Sequence, residues 1–170
     1  MAKSESSNAT AVVLVCGDDE FSVKRSAREI FQRWSANAGA LDQEIIDASA
    51  ANSAEALKAL ARLREALQTL PFFGGNKVIW FQNCSFLGDE RAATAQAVTE
   101  TLTEVAQELK VFSWDNVSLL ISAGKVDKRK TFYKTLEKLG SIESFSGWTV
   151  DDRDWEAQAE NWVRLELRAP

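Results

Sequence analysis

The chain contains no histidine. That excludes the Ser-His-Asp triad, the Cys-His dyad and every imidazole metal site. Its two cysteines, Cys16 and Cys84, are too few for a disulfide framework or a four-thiolate zinc site. Reduced thiols in a cytoplasmic protein are the simplest expectation. Long apolar runs are missing as well. The longest, Ala11–Cys16, is far short of the ~20 residues that cross a bilayer, and Met1–Thr10 lack the apolar segment of a secretory signal. Positive charge is not in excess either: 25 acidic against 20 basic residues leave −5. This disfavours a protein that grips nucleic acid with its whole surface and leaves room only for a local basic patch. What is present suits one globular domain, with 170 residues, 45% hydrophobic and 26% charged, enough for one substantial core.

The pattern along the chain alternates strand and helix. Ala11–Cys16 (AVVLVC) is an unbroken β-branched run, as expected of a strand covered on both faces. Gly17 breaks it, and Asp18 or Asp19 can cap a helix to about Ala36 with Val23, Ala27, Ile30, Phe31 and Trp34 on one face. Glu44–Ala48 is a short strand. Asn52 or Ser53 opens a helix in which Ala56, Leu60, Leu63, Leu67 and Leu70 recur at helical spacing until Pro71 stops it. Lys77–Gln82 is a third strand. Asp89 caps a long helix to about Lys110. Val117–Ser122 is a fourth strand, Thr131–Leu139 a helix ending at a C′ glycine, Gly140, and Ile142–Phe145 a fifth strand. The expected fold is therefore α/β: a doubly wound, mostly parallel five-stranded sheet over residues 11–150, preceded by a disordered tail, 1–10. From Asp151 the pattern changes. Asp151, Asp152 and Asp154 before Trp155, Trp162, Val163 and Leu165 read as a helix start rather than a cation site.

In an open parallel sheet the loop after the first strand is the default phosphate site. A phosphate-binding loop of the form G-x-x-x-x-G-K-[ST] is degenerate here. The sequence reads Gly17-Asp18-Asp19-Glu20-Phe21-Ser22-Val23-Lys24, with Ser22 and Val23 in the places of the second glycine and the lysine. Three acids stand where phosphates would lie, each like-charge contact at ~4 Å costing about 4 kcal/mol at an effective dielectric near 20. No catalytic constellation, metal or cofactor is expected.

Two other stretches carry information. Gln68-Thr69-Leu70-Pro71-Phe72-Phe73-Gly74-Gly75 sets large apolar residues in a connecting segment, where surface position normally disfavours them. Adjacent side chains in an extended segment point to opposite sides, so Leu70 and at least one phenylalanine are expected to project as a protein-binding wedge. Lys125, Lys128, Arg129, Lys130 and Lys134 form a basic stretch around the start of a helix, a position the helix dipole disfavours for cations. It is either a solvated helix start or a contact with a subunit or with DNA.

Three segments together resemble the N-terminal domain of the bacterial DNA polymerase III delta subunit, a clamp-loader component. They are Leu14–Phe21, the Leu70-Pro71-Phe72-Phe73-Gly74 tip with the strand Lys77–Phe81, and Leu119-Leu120-Ile121 with Asp127-Lys128-Arg129-Lys130. The resemblance spans about residues 11–150. It implies an AAA+-like fold without a working phosphate loop, no ATP hydrolysis of its own, and a clamp-binding wedge made of Gln68, Leu70, Pro71, Phe72 and Phe73. The implied partners are the sliding clamp, other clamp-loader subunits through regions not in this chain, and primed DNA in the full complex. It also implies that 151–170 is the start of a truncated lid domain. Two readings from other classes stand beside it: a nucleoside-triphosphatase with an atypical phosphate loop, and a DNA-binding module using the basic stretch.

Overall fold

The computed structural model describes residues 10–147 and 155–167. The expectations for the N-terminal tail and for Asp151, Asp152 and Asp154 fall outside these residues.

Five strands, β1 (Val12–Cys16), β2 (Gln43–Asp47), β3 (Lys77–Cys84), β4 (Val117–Ala123) and β5 (Ser141–Ser144), form one sheet in the order β2-β3-β4-β1-β5. Every neighbouring pair is parallel. The helices are α1 (Glu20–Ser35), α2 (Ser53–Gln68), α3 (Arg91–Thr94), α4 (Gln96–Val111), α5 (Thr131–Leu139) and α6 (Trp155–Glu166). The first crossover, through α1, runs outward from β1 to the β2 edge. The later ones return past β1 to β5. Right-handed crossovers in opposite directions place helices on opposite faces, which makes the sheet doubly wound.

The burial pattern agrees. One face carries Val13, Val15, Trp80 and Leu120 against Val23, Ala27 and Ile30 of α1. The other carries Val12, Leu14, Ile79, Phe81, Leu119 and Ile121 against α2, α4 and α5. All five residues of β1 are buried. This is why its sequence shows no alternation: with helices on both sides, neither face meets water.

Two local expectations are corrected. The helix expected to run from an Asp89 cap to Lys110 is interrupted. The short α3 ends at Ala95, whose ψ of 132° is extended, and α4 restarts at Gln96. No side chain caps α3, and its N-cap is Glu90. The Ala93 carbonyl at the break accepts from Lys130 Nζ at 3.0 Å, so a contact from another part of the chain satisfies a group that a continuous helix would have bonded internally. Gly140 does cap α5, but with φ −150° and ψ −148° rather than in a left-handed conformation. Glycine is required there by close approach: a Cβ would lie 1.9 Å from the Val12 carbonyl oxygen.

Candidate functional site

Because all strands are parallel, the loops after them gather at one edge of the sheet and the segments entering them at the other. The Gly17 loop follows β1. The Leu70–Gly75 segment leads into β3. They therefore occupy opposite edges, separated by strands whose rise is about 3.3 Å per residue.

At the first edge, a cleft of about 460 Å³ lies between the ends of β1, β3 and β4 and is lined in part by Gly17, Glu20, Lys24, Asn83, Glu90 and Lys125. This is the position at which a doubly wound sheet binds ligands. A phosphate cradle needs free backbone amides, and here three of the loop's amides are occupied internally. Gly17 N–H donates to the Gly124 carbonyl at 3.0 Å, Asp19 N–H to the Phe145 carbonyl at 3.3 Å and Glu20 N–H to the Asp18 carbonyl at 3.1 Å. The Asp19 carboxylate is the N-cap of α1 and accepts from Ser22 N–H at 3.1 Å. The Ser22 hydroxyl, followed by the Ser22 and Phe21 amides, holds the Asp19 carboxyl below its ordinary range. Glu20 adds a further negative charge and is paired with Lys24 at 3.4 Å on an exposed helix face. The degenerate loop of Gly17, Asp18, Asp19 and Glu20 thus acts as a helix start, its acids facing the positive end of the α1 dipole.

At the opposite edge, α2 ends at Gln68 and the chain turns at Thr69. Gln68 is exposed and Pro71 half-buried. Leu70 is 84% exposed and Phe72 56% exposed. The phenylalanines do not lie in an extended segment as expected: Phe72–Gly74 is a single 3₁₀ turn. Gly74 supports it with φ +68°, and Gly75 N–H closes back on the Phe72 carbonyl at 3.4 Å. The side chain of Phe73 lies outside the described part of the structure. Leu41, 72% exposed, lies in the 3₁₀ turn Ala40–Asp42. It is joined to the tip because Asp42 Oδ1 accepts from Phe72 N–H at 2.6 Å. The sequence reading missed Leu41. Its only signal is an apolar residue just before an edge strand, which is too common to single out.

The basic stretch is divided by the fold. Asp127 binds Arg129 through both carboxylate oxygens, at 3.0 Å to Nε and 3.0 Å to a terminal nitrogen, and also accepts the Arg129 amide. This side-chain pairing, with the amide bond second, lowers the Asp127 carboxyl to about 2. Lys130 is directed to the Ala93 carbonyl. Lys125, Lys128 and Lys134 are exposed. The five residues are thus not one continuous free basic patch: the Arg129 charge is matched locally and Lys130 secures the break between α3 and α4.

Neither cysteine is poised for chemistry. Both are buried, and burial pushes the Cys16 thiol up and the Cys84 thiol up to about 12. Among the described residues no helix is long and apolar enough to cross a membrane.

Comparison with known proteins fits this geometry. In overall fold the chain is similar to the Bacillus subtilis DNA clamp loader delta protein YqeN, with a TM-score of 0.59 at 14% identity, over 92% of this chain and 43% of that one. The chain thus spans less than half the length of that relative. Weaker likenesses are to a DNA polymerase III gamma subunit-related protein of Thermotoga maritima (TM-score 0.46, 14% identity, 92% of this chain and 48% of that one). Another is to a chain of the Escherichia coli HORMA:CdnC:Trip13 complex (TM-score 0.48, 14% identity, 92% and 58%). Among curated proteins none matches in sequence. The profile of the family described as DNA polymerase III, delta subunit, matches residues 14–145. The doubly wound, parallel five-stranded fold expected from the sequence is the one observed, and the chain belongs to the DNA polymerase III delta subunit family.

Proposed function

We propose that this chain is the clamp-engaging domain of a clamp-loader delta subunit: a binding module, without ATP hydrolysis of its own, that acts in the cytoplasm. The observation that carries this reading is the exposure of Leu70, two residues before the turn Phe72–Gly74, and of Phe72 on it, at the edge of the sheet opposite the Gly17 loop. Full burial of an exposed side chain of this size is worth up to about 1.5–3 kcal/mol, and a partner surface that covers what Leu70 and Phe72 still expose would realise part of it. Gln68, Leu70, Pro71, Phe72 and Phe73 form the wedge. It favours the open-ring geometry of the sliding clamp, and that difference in affinity shifts the ring equilibrium.

The Gly17 loop supports the second half of the reading. The Gly17, Asp19 and Glu20 amides are bonded internally, and the loop's three acids repel a triphosphate. ATP is handled by other subunits, which this domain meets, together with primed DNA, through regions beyond residues 11–150.

The test is the affinity of the 170-residue chain for its cognate sliding clamp, measured with wild type, Leu70→Ala and Phe72→Ala. The expected result is binding by wild type and loss of at least tenfold in each variant. A wild-type chain that does not bind, or variants that bind equally well, would defeat the reading. ATP binding that depends on the Gly17 loop would favour a nucleotide enzyme. Salt-dependent DNA binding that is lost on neutralising Lys125, Lys128 and Lys134 would favour the DNA-binding module.

A further inference from the structure

Among the described residues only four polar side chains are buried: Asp42, Lys77, Ser122 and Thr135. Two of these are charged, and charged side chains are almost never fully buried unless paired. Both are directed at the backbone flanking the apolar tip. Asp42 Oδ1 accepts Phe72 N–H at 2.6 Å, thirty residues away in sequence. Its carboxylate is closely surrounded: a Cβ added to Gly39 would lie 3.2 Å from Oδ2, and one added to Gly75 would lie 3.8 Å from it. Lys77 Nζ donates to the Ala66 carbonyl at 2.6 Å and to the Thr69 carbonyl at 3.2 Å, and pairs with Glu44 at 3.2 Å. An ammonium has three donors, and these three partners match them. Two of the partners are carbonyls at the C-terminal end of α2, where a cation also meets the negative end of the helix dipole. The pairing of Gln43 with Val78 puts Asp42 and Lys77 at the start of adjacent strands, so the two anchors stand side by side at the edge that bears the tip.

We propose that Asp42 and Lys77 are positioning residues that preset the tip before any partner arrives. Lys77 fixes where the chain leaves α2, and Asp42 fixes where the turn Phe72–Gly74 begins. Between them only Leu70 and Pro71 bridge the two fixed points. A preset tip enters a partner's pocket with its ordering cost already met within the fold, which is how preorganisation raises affinity. The consequence for clamp binding rests on the function proposed above. The presetting itself does not.

The experiment has two arms. Amide hydrogen exchange on the free 170-residue chain compares wild type with Asp42→Ala, Asp42→Asn and Lys77→Met. Asp42→Ala is expected to speed exchange at Phe72 at least tenfold. Asp42→Asn, which keeps an acceptor oxygen, is expected to restore most of the protection. Lys77→Met keeps the apolar stem and is expected to fray the end of α2, read at Thr69, whose amide bonds the Glu65 carbonyl. Exchange at Leu120 and Ile121, in the central strand β4, is expected to stay unchanged in all three. Unchanged exchange over residues 69–75, or an equal rise at Leu120 and Ile121, overturns the proposal, the latter because the residues would then be merely structural.

The second arm measures affinity for the cognate sliding clamp, with Leu70→Ala as the control for the contact itself. Asp42→Ala and Lys77→Met are expected to weaken binding at least fivefold, with Asp42→Asn closer to wild type. Faster tip exchange without weaker binding overturns the link from presetting to affinity. If wild type fails to bind the clamp, the function reading fails, and the exchange arm alone decides the presetting.

Discussion

The backbone of Phe145 crosses directly over Gly17. A Cβ on Gly17 would lie 1.8 Å from the Phe145 carbonyl oxygen and 2.6 Å from its carbonyl carbon, and Gly17 has φ +139°. The same crossing brings Phe145 N–H to the Cys16 carbonyl at 2.8 Å and Asp19 N–H to the Phe145 carbonyl at 3.3 Å. The residue that follows the last strand thus ties down the loop after the first. The glycine that resembles a phosphate-loop remnant is kept by a steric demand that involves no ligand.

Gly17→Ala is accordingly expected to be strongly destabilising, since it adds both overlap and left-handed strain. A loss of at least about 2 kcal/mol is expected, or roughly 5 °C or more in Tm for a domain of this size. Thermal unfolding followed by circular dichroism measures it. A variant as stable as wild type would mean that Phe145 does not hold this loop.

Asp19→Ala removes the N-cap of α1 and is expected to cost about 1 kcal/mol. The sign of the pH dependence follows from the carboxyl lying below its ordinary 3.8. The folded state binds this proton less readily than the unfolded one, so the contribution is full above about pH 4 and is lost as acid protonates the folded carboxylate. The stability difference between wild type and variant should therefore shrink on acidification below pH 4. A difference that grows there would contradict the cap.

Asp127 titrates at about 2 because Arg129 pairs with it. Carboxyl-carbon NMR should find that midpoint in wild type and a return toward the ordinary 3.8 in Arg129→Gln. A midpoint that ignores the substitution would show that Arg129 is free for another partner, and would revive the continuous basic patch.

Cys16 and Cys84 should be inert to a thiol reagent such as DTNB in the native protein at pH 8, because buried thiols held above their ordinary range carry almost no thiolate. Both should react on unfolding in denaturant. Rapid native labelling of Cys84 would contradict its place at the end of β3.

Much of this architecture was readable from local pattern. The β-branched run at Ala11–Cys16, a cap at Asp18 or Asp19 and another at Asn52 or Ser53 each state their structure within a few residues, because burial on both faces and capping are local constraints; the helical spacing from Ala56 holds to Leu67, while Leu70, the last residue in it, lies beyond the end of α2. What escaped is set by distant contacts. Nothing around Ala95 breaks a helix in sequence; the break is matched by Lys130 reaching Ala93. Gly140 sits where a left-handed cap is expected, yet its reason is the Val12 carbonyl. At the candidate site, Leu70 and Phe72 stood out as apolar residues in a connection. Asp42 and Lys77 did not, since an isolated acid before a strand and a lysine at the start of another are ordinary surface residues until the topology brings them beneath the turn.

The tip feeds without interruption into β3, which is hydrogen-bonded on both sides, to β2 and to β4. A load applied at Leu70 and Phe72 therefore enters the sheet through an interior strand instead of an outermost one. The ladder bonds on either side share that load together instead of opening one after another, as they would if an outermost strand were peeled away.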